Sequence, residues 1–408
     1  MRIKEPVWTL SQLPAAVTLL VVLAYLYRVL TGGGGVSQDF GVYYAAAAAV
    51  ANGLNPYDME TLALFVPSNA LPFVYPLITA HLFRPFLFFP FEAAAIFYAI
   101  LKSLCLFYLV RLWIKHFLPD VKTVEEVVLL AFIIAFGLSL TIYSDLAGGN
   151  VSLLEQTLLW TGLSFFARGR LGLFCVFVVL AASFKFTLSL TLLLLLTTDF
   201  RWRSALMYLS FAVLALVPTF SYLMSPAWLG EYLGLLALQA GSQRGFTNPS
   251  SLSALIDFPF IASIKYMPHV LYVAVVIFVL TTAARLMRRG ISRVDTVLLF
   301  TVVYALAMPR MSPYSYIILL PAISYLFLSW RVELPTWVLP AFAVAFPIVL
   351  SSPSFSGSIF APWVAWIVDF HHVALSALCF GWWIAKIQRA HPLFDTKPST
   401  IIDSAAMA

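Results

Sequence analysis

Asp39 lies in the stretch SQDFGVYYAAAAAVANGLNPYD, residues 37–58, directly after the first long apolar run. Tyr43, Tyr44, Asn55 and Tyr57 stand around it, and no Lys or Arg interrupts the stretch. A carboxylate at a membrane surface, its pKa raised modestly by burial, can take a proton from a hydroxyl. The same residue, just ahead of a small-residue helix expected over 43–51 and stopped by Asn52–Gly53, also fits a simple N-cap. Position alone leaves both readings open. Lys185, in AASFKFTLSL, is flanked on both sides by apolar sequence. A cation there calls for an anionic ligand, a snorkelling route to the interface, or a structural pair with Glu155. Arg310, in AMPRMSPYSY, is bracketed by Pro309 and Pro313 between two apolar runs. Its guanidinium suits a phosphate bidentately, or it is a surface cation at a helix end.

Further along, QAGSQRGFTNPSSLSALI supplies Gln243, Arg244, Asn248 and Ser250, donors and acceptors fit for sugar hydroxyls or phosphate. Glu155 and Lys102 fall inside apolar runs and are expected as buried structural partners. Asp145 reads as a turn residue or a second outer carboxylate. Taken together, these groups match what transfer from an anionic lipid carrier needs. A base would serve the acceptor hydroxyl, cations the leaving phosphate, and aromatic and amide groups a sugar. No Gly-rich nucleotide fingerprint is present, so a lipid-linked donor fits better than a sugar nucleotide. Two rivals remain on residue chemistry. A transporter or flippase of lipid-linked sugars would show inverted repeats and polar residues at the midplane. A polysaccharide polymerase or ligase would place its key residues in late outer loops.

The elements that must position these groups belong in lipid. Only 10% of the 408 residues are charged, against about 25% in soluble domains, which excludes an ordinary soluble enzyme. The formal net charge of +6 is small and dispersed, which argues against nucleic acid as a partner and fits cytoplasmic loops of a membrane protein. Apolar runs near 13–30, 92–114, 124–143, 150–167, 171–184, 187–198, 204–224, 267–286, 294–309, 314–330, 335–350 and 362–385 predict an all-α polytopic membrane protein with about twelve transmembrane helices. The first run reads as a retained anchor and not a cleaved leader. Cys105, Cys175 and Cys379 all lie in apolar runs, so neither a disulfide framework nor a metal centre is expected, and no cofactor.

Lys and Arg place both termini in the cytoplasm and the loops 31–91 and 225–266 outside. That assignment holds if residues 73–90 form a re-entrant or surface-lying helix. It also requires 171–198 to be two short helices meeting near Lys185, which would bring this cation to the outer face beside the acidic loop. Residues 1–390 then form one integral-membrane domain, and 391–408 a polar cytoplasmic tail. The expected location is a bacterial inner membrane, with the chemistry on the periplasmic or extracellular face.

Five segments, in order and spacing, carry a resemblance. DFGVYYAAAAAVANGLNPYD, FVYPLITAHLFRPFLFFP, GGNVSLLEQTLLWTGLSFFARGR, AASFKFTLSL and TNPSSLSALI resemble those of the polyprenol-phosphate-mannose-dependent mannosyltransferases, glycosyltransferase family 87 of the multi-spanning GT-C superfamily. The resemblance covers about residues 10–330. It implies a GT-C-type fold with a long first outer loop bearing surface helices. It also implies an inverting transfer of a hexose, typically mannose, from a polyprenyl monophosphate to a lipid or glycan acceptor, with no required metal. Asp39 would then be the base, Lys185 the intramembrane cation, and Tyr75 with Pro76, Asn150, Asn248 and Ser250 the remaining matched positions. Where some members carry His in the late Ser-Pro segment, this chain has MSPYSYIIL, so Tyr314 or Tyr316 would serve there. A Pro that many members place shortly after the Lys is missing from KFTLSL.

Overall fold

The computed structural model describes residues 12–30, 38–66, 71–118, 123–242, 245–258, 260, 261, 264–288, 290–330, 366 and 369–390. In chain order the helices are α1 (Leu13–Leu30), α2 (Gln38–Ala51), α3 (Met59–Ala63), α4 (Leu77–Phe83), α5 (Phe91–His116), α6 (Val124–Gly148), α7 (Ser152–Ala167) and α8 (Leu171–Phe184). There follow α9 (Arg203–Met224), α10 (Pro226–Ser242), α11 (Ser251–Ile256), α12 (Met267–Met287), α13 (Arg293–Ala307), α14 (Leu320–Trp330) and α15 (His371–Ala390). Tighter 3₁₀ turns occupy Arg84–Phe88, Phe186–Thr197, Gly245–Thr247 and Pro313–Leu319. No strand occurs among the described residues, as continuous apolar runs without period-two alternation dictate.

Among the described residues three helices, α5, α9 and α12, are long and apolar enough to cross a bilayer. A fourth crossing arises if the two arms of α6, Glu126–Leu138 and Thr141–Gly148, count as one broken span. The other runs expected as crossings appear here as shorter apolar helices, among them Leu13–Tyr27, Leu171–Phe184, Phe186–Thr197 and Pro313–Ser329. The expected span 335–350, the loop 351–361 and the tail 391–408 lie outside the described residues.

The bend in α6 is 58° and has a local cause. Leu138 takes a left-handed φ of 53°, which breaks the helical ladder. Its freed carbonyl accepts from Thr141 Oγ1 at 2.7 Å and from His372 Nε2 at 3.2 Å, so the break leaves no orphaned acceptor. Thr141 Oγ1 also reaches the Pro313 carbonyl at 3.2 Å, tying the bend to the 313–319 turn. At its far end α6 stops on Gly149, whose φ of 70° suits glycine. Asn150 follows at once, two residues before α7 begins.

Residues 77–88 wind as seven α-helical and five 3₁₀ residues. At about 1.5 and 2.0 Å per residue this reaches only about 20 Å, short of a crossing of about 30 Å. The 171–198 run breaks where expected. Lys185 is extended, with φ −142° and ψ 101°, between α8 and the 186–197 turn, and those two pack against each other.

α1, α6, α7, α8, α13 and the 313–319 turn share the large apolar core. A second, aromatic cluster surrounds α2. Phe40 stacks on Tyr98 of α5 at 4.8 Å between ring centroids, and Tyr43 meets Phe83 at 4.8 Å. Ala45 through Ala49 are all buried, so α2 lies close against its neighbours with only methyl groups between. α2 begins at Gln38, five residues before the expected start, because Phe40 and Tyr43 bury one helical turn of this cluster.

Candidate active site

The early start of α2 puts Asp39 inside its first turn, so the N-cap reading gives way. Its carboxylate instead faces the junction between α6 and α7. Oδ2 accepts from Asn150 Nδ2 at 2.8 Å. Asn150 can present that amide in only one sense, because its Oδ1 is occupied by the Ser152 N–H at 3.0 Å and Ser152 Oγ at 2.8 Å. The amide also meets Tyr75 Oη at 3.4 Å. Gly148 lies directly under the group. A Cβ added there would stand 3.6 Å from Asp39 Oδ2 and 3.9 Å from Tyr314 Oη, so the carboxyl and the phenol flank one small residue.

Asp39 is partly buried. Burial raises its pKa above the ordinary carboxylate value, against the lowering pull of the Asn150 amide and of the Lys102 charge. Tyr75 sits in the same environment. Burial, followed by the charges of Glu155 and Asp39, holds its phenol well above the usual range, so it remains protonated and able to donate.

The two cations are held by other elements. Lys185 Nζ donates to Ser315 Oγ at 2.5 Å, and Ser315 Oγ lies 2.9 Å from Ser312 Oγ. Among the described residues no carboxylate forms an ion pair with Lys185, although Glu155 and Arg310 act on it electrostatically. Arg310 Nη2 donates to Gln239 Oε1 of α10 at 2.6 Å, and Arg310 also feels Tyr75. Tyr75 thus feels the charges of Glu155 and Asp39, Arg310 that of Tyr75, and Lys185 those of Glu155 and Arg310.

Asn248 and Ser250 take a part that their composition did not reveal. Asn248 Oδ1 accepts from the Met311 N–H at 2.9 Å, and Ser250 Oγ donates to the Pro309 carbonyl at 2.7 Å. The two bonds bracket Arg310 on either side along the backbone. Tyr316, the alternative to Tyr314, is fully buried and donates to the Pro249 carbonyl at 2.5 Å. Only Tyr314 borders Gly148 beside Asp39.

Other expected site residues are engaged elsewhere. Tyr44 Oη donates to the Phe89 carbonyl at 3.0 Å. Asn55 Nδ2 donates to Glu231 of α10 at 2.5 Å, and its Oδ1 accepts from the Tyr57 N–H at 3.0 Å. Tyr57 Oη donates to the Tyr75 carbonyl at 3.1 Å, which fixes the segment before α4. Tyr43 is buried edge-on to Tyr75, with ring centroids 5.1 Å apart. Gln243 and Arg244 lie outside the described residues.

Two expectations about structural charges need correcting. Lys102 pairs with Asp145 at 2.7 Å and not with Glu155, and both partners are fully buried. Asp145 is therefore an ion-paired residue in the last turn of α6, where 145–150 turn through Gly149 into α7, and not a second free carboxylate. A separation of 43 residues between these partners left no local signal.

The family model for glycosyltransferase family 87 matches residues 73–313, more than half of the chain. The chain belongs to glycosyltransferase family 87. Membership makes it a glycosyltransferase, with its apolar helices those of a membrane protein, and sets the transporter reading aside. The region matched in this family-87 enzyme contains Tyr75, Asn150, Lys185, Asn248, Ser250 and Arg310; Asp39 precedes it and Tyr314 follows it. No curated protein and no solved structure gives a significant match.

Proposed function

We propose that this family-87 enzyme transfers a hexose, mannose before others, from a polyprenyl monophosphate to a hydroxyl of a lipid or glycan, with inversion. Supporting the reading are the Asp39 carboxylate, held by Asn150 beside Tyr75 and Tyr314, and the Lys185 ammonium, which makes no carboxylate ion pair among the described residues. A sugar phosphate bound among these groups would present its anomeric carbon toward Asp39 and its phosphate toward Arg310 and Lys185.

In the step itself, the acceptor oxygen attacks the anomeric carbon on the face opposite the phosphate. Its proton passes to Asp39, the bond from the anomeric carbon to the phosphate oxygen breaks, and polyprenyl phosphate leaves. Lys185 and Arg310 offset the charge that gathers on the departing oxygen, the kind of electrostatic stabilisation that dominates such transfers. Tyr75 and Tyr314 would donate to sugar hydroxyls. The polyprenyl tail would lie along the apolar surface of the 77–88 segment, where Leu82 and Phe88 are exposed.

Distribution of Lys and Arg supports an outer location for the loops 31–91 and 225–266, with both termini cytoplasmic, in a bacterial inner membrane. The test is Asp39→Asn in membranes given labelled polyprenyl-phosphate-mannose and scored for sugar reaching endogenous lipid. Transfer is expected to vanish while donor binding persists. Turnover at the wild-type rate would remove Asp39 from the base role.

A further inference from the structure

Two side chains of α5 stand behind the transfer site and take no part in the step above. Tyr98 and Lys102 are four residues apart, so they share one helix face, and both are buried. Lys102 Nζ contacts Asp145 twice, at Oδ1 and at the backbone carbonyl. That carbonyl also accepts from the Asn150 N–H at 3.1 Å, which closes the turn through Gly149. Tyr98 Oη donates to the Asn150 carbonyl at 3.2 Å. α5 therefore grips the turn 145–150 at its first residue and its last.

What the turn delivers is Asn150, and Asn150 holds Asp39. A buried ion pair is seldom the most stabilising filling for such a space, since two apolar side chains of similar volume commonly do as well or better. Here the pair reaches a backbone carbonyl that no apolar side chain could hold. Gly149, in the left-handed region, would otherwise leave the turn free to pivot.

We propose that Tyr98 and Lys102, with Asp145, are positioning residues for the base: they fix the 145–150 turn so that the Asn150 amide meets the Asp39 carboxylate. The proposal rests on the reading of Asp39 as base, and its action runs through Asn150. Nothing in it requires Tyr98 or Lys102 to touch substrate.

Tyr98→Phe is the clean variant, because the ring that stacks on Phe40 stays and only the hydroxyl goes. Loss of one hydrogen bond of this kind should lower kcat about threefold to tenfold. The donor KM should stay unchanged. In an Asn150→Ala background the same substitution should change kcat by less than about twofold, since residues acting through one another do not add. A merely structural Tyr98 would multiply with Asn150→Ala, and that result overturns the proposal. The paired variant Lys102→Met/Asp145→Leu, which leaves no lone buried charge, should behave in the same way. Hydrogen–deuterium exchange of the full-length protein in detergent needs no substrate. Tyr98→Phe should speed exchange over 145–152 and leave α13 as it was; unaltered exchange over 145–152 also overturns the proposal. Turnover retained by Asp39→Asn would instead sink the base assignment, so the two failures are separable.

Discussion

Removing the Asn150 amide tests how the carboxylate is held. In Asn150→Ala the contact of 2.8 Å to Asp39 Oδ2 disappears, while α2 and its aromatic bed remain. A hydrogen bond to a charged group is worth about 1.5–3 kcal/mol, which corresponds to about tenfold to about 150-fold in kcat/KM if all of it is felt. The pH dependence carries more information than the size. In the proposed base role Asp39 works ionised, so activity should rise with pH through its pKa, which burial has already lifted above the ordinary carboxylate value. The amide is the largest influence pulling the other way, so its loss must move the acidic limb to still higher pH. Above the new limb part of the rate should return, because the carboxylate left behind is the stronger base. The assay is kcat/KM for labelled donor across pH in purified enzyme, with a melting curve to confirm folding. A uniform fall at every pH, with the limb unmoved, would refute the reasoning: the amide would then serve substrate and not the carboxylate.

Gly148→Ala should be close to wild type, because its Cβ makes only ordinary contacts at 3.6 and 3.9 Å, whereas Gly148→Leu should lower turnover by about a hundredfold or more by filling the gap between Asp39 and Tyr314; steady-state rates of the two variants check this. Lys185→Gln should lower kcat/KM for a polyprenyl-phosphate donor by about thirtyfold or more, the effect of losing one side of a desolvated charge contact, and initial rates against donor concentration measure it. Ser250→Ala should loosen the segment around Arg310 and raise donor KM severalfold, at about 1 kcal/mol of stability, seen in kinetics and thermal melting together. Asp39→Asn should melt no lower than wild type at neutral pH. A carboxyl whose folded pKa is raised loses stability as it ionises through the window above its unfolded pKa, and the amide carries no such penalty.

Part of this arrangement is written in the chain for any reader. An acidic residue beside the first greasy run, a lysine with apolar sequence on both sides, and a Gly-Gly-Asn turn can each be seen locally. The break at Lys185 was legible too, because only two short helices reconcile that cation with Arg201 and Arg203. The rest depends on distant pairing. Lys102 and Asp145 find each other across two helices, and nothing local marks Tyr98 among 35 Phe and 18 Tyr. Asn248 and Ser250 look like sugar ligands by composition, yet their bonds go to the backbone around Arg310, since a loop carbonyl 59 residues away leaves no periodic trace. The 3₁₀ windings at 186–197 and 313–319 were hidden for another reason: Leu, abundant in the first, favours an ordinary α-helix, and packing overrides that local preference.

The methyl-thin middle of α2 has a consequence for how damage would spread. A helix of 14 residues is about 21 Å long, and Ala47 lies about 12 Å along it from Asp39. With those methyls already against their neighbours, an added branch has no local slack to occupy, so the rod must lean as a whole. A lean of a few degrees pivoting there swings the carboxylate out of register by a sizeable fraction of an ångström. Mutants at the far end of this lever would look like well-folded enzymes with a chemical defect, although nothing near the reacting atoms had been altered.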